Sequence, residues 1–165
     1  MLTKLKAKFK TSGKADLPHE SNKMKLVLTK DGHRKHLHTH QSPNSVAFVW
    51  IDMDIGNVFV HKIDRKHSII DEGELLIWLK HRLRSSIRAT LIINSWGGIG
   101  GFSDKIAYFI LHVFGLTKFA ELGGHEGYCG ISASAEHNKF QLLRETALDG
   151  LFKVKFKLDV RLSIN

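Results

Sequence analysis

Apolar and polar residues alternate most regularly at the end of the chain. In residues 151–165, Phe152, Val154, Phe156, Leu158, Val160, Leu162 and Ile164 are interleaved with Lys153, Lys155, Lys157, Asp159, Arg161 and Ser163. A period of two puts one set on each face of a strand, so this stretch predicts a long antiparallel strand with one face in the core and a basic face in water. Shorter apolar, β-branched runs predict strands over 24–28, 46–52, 58–63 and 91–93. Asp31-Gly32 and Ile55-Gly56-Asn57 supply the turns between the first of these.

The helical period appears twice. Residues 68–84 place Leu75, Leu76, Leu79 and Leu83 on one side, with Ser68 or Asp71 as the cap and Glu74 three residues after Asp71. Later, Ser103 can cap a helix whose apolar side carries Ile106, Phe109, Ile110, Val113 and Phe114, ended by Gly115. Thr117 opens a short second segment to Leu122. Between strand 91–93 and this helix lies a glycine turn with Gly97, Gly98, Gly100 and Gly101.

Two periods compete in the first ten residues. Leu2, Leu5 and Phe9 fall at i, i+3 and i+7, a helical stripe, while Leu5, Ala7 and Phe9 also alternate with Lys4, Lys6, Lys8 and Lys10. Residues 11–22, with Gly13 and Pro18, read as a flexible linker. The expected architecture is a flexible basic arm and linker over 1–22, followed by one compact α+β domain over 23–165. In that domain a largely antiparallel sheet packs with two main helices.

Charge and composition add a partner class. The chain of 165 residues, 42% hydrophobic, suits a single core. Residues 1–35 hold ten Lys or Arg against Asp16, Glu20 and Asp31, so +7 of the total +9 lies there. The arm lysines Lys4, Lys6, Lys8, Lys10 and Lys14, with Lys80, Arg82 and Arg84 at the exit of the first helix, are the candidate contacts for an acidic membrane surface, nucleocapsid or RNA. A single Cys129 forms no internal disulfide, which fits a reducing compartment. The longest apolar candidate, 106–114, is about half the ~20 residues of a membrane span. With no apolar stretch for a secretory signal near the N-terminus, the expected location is cytoplasmic and peripheral to a membrane.

No catalytic motif emerges. The glycine turn lacks the Gly-Lys-Ser/Thr ending of a phosphate loop, and Ser103 stands where a dinucleotide fold needs its third glycine. His36, His38 and His40 share one side of an extended segment and are weak metal candidates, because Arg34 and Lys35 repel a cation and no Cys or carboxylate joins them. They would gain charge near pH 6. Asp52 and Asp54 suit a turn, and Cys129, despite His125 and His137 nearby, suits a packed thiol. No enzyme activity, cofactor or small-molecule substrate is expected.

Taken in order, the basic arm, linker, strands, basic helix, glycine turn, aromatic-rich helix and closing β-region resemble the small matrix proteins of negative-strand RNA viruses, rhabdoviruses in particular. That resemblance rests on layout, and only Lys4, Lys6, Lys8, Lys10 and Lys14 carry over from it. It implies a non-enzymatic virion protein that binds acidic membrane or ribonucleoprotein through basic surface and forms homo-oligomers. Residues 11–22 depart from the family in lacking a proline-rich budding motif. The alternative is a small nucleic-acid-binding regulator of a phage or mobile element.

Overall fold

The computed structural model describes residues 2–14, 23–39, 45–64, 66–95, 101–121, 127–148 and 151–163. Its fold is α+β, with nine strands in two antiparallel sheets and two helices among the described residues. In chain order these are β1 (Leu2–Lys14), β2 (Lys23–Lys30), β3 (His33–Thr39), β4 (Ser45–Asp52), β5 (Asn57–Asp64), α1 (Ile69–Ser85), β6 (Ala89–Ser95), α2 (Asp104–Phe114), β7 (Gly127–Glu136), β8 (Lys139–Leu148) and β9 (Leu151–Ser163).

The expectation of a flexible basic arm does not hold. β1 runs between β2 and β9 in a sheet ordered β3-β2-β1-β9, paired with β9 along its whole length from Leu2↔Ser163 to Lys14↔Leu151. Of the two periods in the first ten residues, alternation prevails over the helical stripe. Leu5, Ala7 and Phe9 need an apolar partner, and β9 supplies a strand of equal length and matching phase. All three are buried, while Lys6, Lys8 and Lys10 stand in solvent. The remainder of the expected linker, 15–22, lies outside the described residues, as does the glycine turn over 96–100.

The second sheet, ordered β5-β4-β6-β7-β8, is the middle layer of three. On one face Ala47, Val49, Ile51, Ile92, Cys129 and Ile131 meet Leu5, Phe9, Met24, Leu26 and Leu28 of the first sheet. On the other, Phe48, Trp50, Leu91, Ile93 and Tyr128 meet Leu75 and Leu79 of α1 and Ile106, Ile110 and Phe114 of α2. Being covered on both sides explains why β4 and β6 are buried at every position and read as continuous apolar runs.

Local chemistry fixes the helices on this layer. Ser68 and Asp71 cap α1 reciprocally, each side chain taking the other's backbone N–H. Gly115 ends α2 in the left-handed conformation at φ 73°. Glu72, in the first turn of α1, accepts from the backbone N–H and hydroxyl of Ser103 at the start of α2, and pairs with His67 Nε2 at 2.7 Å. Below them, Trp50 Nε1 donates to Ser86 Oγ, which donates to Asp52.

Candidate anion-binding face

Pairing of β1 with both neighbours builds a lysine surface on the outside of the first sheet. Lys10 lies opposite Lys25 on one side and Lys155 on the other. One row along, Lys8 lies opposite Val27 and Lys157, and in the next Lys6 lies opposite Thr29 and Asp159. Register with β3 extends the rows to His38, His36 and Arg34. Lys6, Lys8, Lys10, Lys25, Arg34, Lys155 and Lys157 are all exposed. Strand geometry sets the cations about 5 Å apart across the sheet and roughly 7 Å apart along it.

Such a grid opposes folding. Like charges directly opposite on neighbouring strands destabilise a sheet by tenths of a kcal/mol per pair. The described salt bridges join His67 to Glu72, Arg88 to Asp54 and Lys139 to Glu136, none of them to a lysine of this face, while Asp159 stands in register opposite Lys6. A concentration of like charge on one surface attracts polyanions. The outward positions Lys6, Lys8, Lys10, Ser12, Lys25, Val27, Thr29, Lys155 and Lys157 of β1, β2 and β9 include no Phe, Tyr or Trp, so this part of the face is richer in phosphate-contacting groups than in rings on which a base could stack.

No family model and no curated protein matches the chain.

Of the residues expected to contact an anion, Lys6, Lys8 and Lys10 lie on this face. Lys4 and Lys14 belong to β1, in register with Arg161 and Leu151, and their side chains lie outside the described residues. Lys80, Arg82 and Arg84 belong to the helical layer, separated from the lysine face by the whole middle sheet. Arg82 is committed to packing, its guanidinium 3.9 Å from the centroid of the Phe59 ring. Lys25, Lys155 and Lys157 complete the face and were not among the expected contacts. Their signal was present in the sequence, since lysine recurs every second residue in both 4–10 and 153–157.

The other candidate chemistry resolves into structure. Asp52 accepts from the Asp54 and Ile55 N–H groups and from Ser86, closing the β4–β5 turn. Although burial pushes Asp54 up, the backbone and side-chain bonds from Arg88 outweigh it and hold its carboxyl below the usual carboxylate range. Cys129 is fully buried between the sheets, and burial pushes its thiol up to about 12. A thiol held protonated there is a packing group. Ser103, Glu72 and His67 do not form a nucleophile relay, because the carboxylate sits between the hydroxyl and the imidazole. His36 and His38 pair with Val27 and Lys25 in the β3–β2 register, their side chains outside the described residues, as is His40 altogether. No group of three metal-ligating side chains occurs among the described residues. No described helix is long and apolar enough to cross a membrane.

Proposed function

We propose that the protein is a non-enzymatic structural protein that docks the lysine face of its first sheet flat on an acidic membrane or ribonucleoprotein surface and assembles with itself. The observation that carries this reading is the row Lys25, Lys10, Lys155, three exposed cations side by side with no acid among them. Near an anionic surface each lysine contributes about 1 kcal/mol, and release of condensed counterions makes the attachment salt-dependent. A broad sheet surface lined with lysine is suited to a layer of phosphates. The likeness in layout to rhabdovirus matrix proteins accords with this, although its lysines now lie in a central strand instead of a free arm.

The test replaces Lys8, Lys10 and Lys157 together with Gln. Flotation with phosphatidylserine vesicles should fall by about 3 kcal/mol in binding free energy at low salt. The difference should shrink as salt screens the attraction. Lys80→Gln with Arg84→Gln should leave flotation nearly intact. Unchanged flotation of the triple variant sinks the membrane reading. Lost RNA gel shift with intact flotation would favour the nucleic-acid-binding alternative.

A further inference from the structure

α1 is apolar on two sides. Leu75, Leu76 and Leu79 face the middle sheet, yet Ile69, Ile70 and Ile77 are 88%, 74% and 68% exposed. At 100° per residue, Ile70, Gly73, Ile77 and Arg84 fall along one line on the side away from the core. Gly73 sits in the middle of that line, and a Cβ built on it would have no atom within 4 Å. Glycine weakens a helix interior relative to alanine, and β-branched isoleucine gains little there. Among the described residues no contact requires either choice. A bare backbone flanked by isoleucines does suit the close approach of another helix.

We propose that this stripe is the contact of a two-fold homodimer in which α1 packs antiparallel on α1 of a second copy. A two-fold interface must be self-complementary. With the axis beside Ile77, the two Ile77 side chains meet, Ile70 covers the aliphatic stem of Arg84 of the second copy, and the Glu74 carboxylate falls beside the His81 imidazole of the second copy. That carboxylate–imidazole contact is made twice. The acidic residues Asp71 and Glu74 flank the apolar end of the stripe, which disfavours an acidic bilayer as its occupant. A single pair of helices about 26 Å long is a small interface, so the dimer forms at micromolar concentration.

The helices form the layer farthest from the first sheet, so this dimer carries its two lysine faces outward at opposite ends. Only the vesicle arm of the test rests on the anion-binding reading. In vesicle-free solution, sedimentation velocity should show the 18.7 kDa chain passing to twice that mass as concentration rises through the micromolar range. Ile77→Asp and Gly73→Arg should each raise the dimer Kd at least tenfold. Gly73→Arg, a better helix former at an open position, should at the same time raise the melting temperature of the dilute monomer, which separates lost association from misfolding. The wild type should aggregate phosphatidylserine vesicles, whereas Ile77→Asp should float with them without aggregating them. A wild type monomeric to 100 μM, or variants that dimerise as the wild type does, overturns the proposal. So does a monomer whose flotation is lost in Ile77→Asp, since lipid is then the occupant. A dimer that fails to float overturns the anion-binding reading and leaves this one standing.

Discussion

The phenol ring of Tyr128 lies over the backbone of Gly130, two residues along β7, and delivers its hydroxyl at 2.6 Å to Glu145, the residue paired with Gly130 across the β7–β8 ladder. Glu145 also accepts from the Lys118 N–H and the Thr117 hydroxyl, which ties the segment after α2 to the edge of the middle sheet. Burial above all, with the Glu145 carboxylate beside it, raises the Tyr128 hydroxyl far above its ordinary range and keeps it a donor.

A Cβ at position 130 would overlap the Tyr128 hydroxyl and ring, and both atoms belong to a fully buried side chain with nowhere to move. Gly130→Ala should therefore destabilise by about 1–3 kcal/mol, the range for overpacking. In a Tyr128→Leu background the same substitution should cost much less. A urea double-mutant cycle measures the coupling, and strictly additive effects would mean that the ring does not occupy this space.

The Glu72 clamp between α1 and α2 predicts a pH dependence. Burial raises the carboxyl, but the bonds from Ser103 and His67 prevail and hold it below the ordinary glutamate value of 4.5. A depressed folded-state value favours the ionised form, so the contribution is fully present above about pH 4.5 and lost as pH falls through the lower folded-state value. Glu72→Gln should cost roughly 1.5–3 kcal/mol at pH 7, as for hydrogen bonds to a charged group. The gap between wild type and variant in denaturant midpoint should close below pH 4. A gap constant down to pH 3 would show that the charge plays no part.

Because β1 is an inner strand of the first sheet, paired with β2 on one side and β9 on the other, removing residues 1–14 should abolish cooperative unfolding. Phe9→Ala should cost about 3–5 kcal/mol, as for a fully buried aromatic. Retention of a sharp thermal transition in the truncated chain would restore the idea of a dispensable arm.

That correction shows where the sequence was legible. Elements whose one face is buried and whose other face is wet declare their period, as β9 does, and caps such as Ser68 and Gly115 mark helix ends. β1 showed its alternation equally well, but nothing in its own residues states that β9 lies beside it 150 residues later. Charge density then suggested a solvated arm. β7 and β8 were not expected as separate strands, because Gly127–Glu136 is built largely of small residues and β8 mixes polar residues with Leu142 and Leu143 at an exposed edge. Bulges at Ile131/Ser132 and Ser134/Glu136 break the alternation further. The lysine face follows the same logic. Its residues were visible singly, and only the register brings Lys25, Lys10 and Lys155 into one row.

The sharpest prediction sets stability against binding at Lys10. This side chain sits between two other lysines, so Lys10→Glu replaces two like-charge cross-strand pairs by two opposite-charge pairs. Each such pair is worth about 0.2–1 kcal/mol. Since the position is exposed, nothing in the core is disturbed, and the variant should melt higher than the wild type at low salt. The same change places a negative charge in the middle of the proposed docking face and should weaken flotation with acidic vesicles more than Lys10→Gln does. A residue that lowers stability while raising affinity is kept for binding. Were Lys10→Glu to melt lower and float as well as the wild type, the lysine row would be neither a strained arrangement nor a contact.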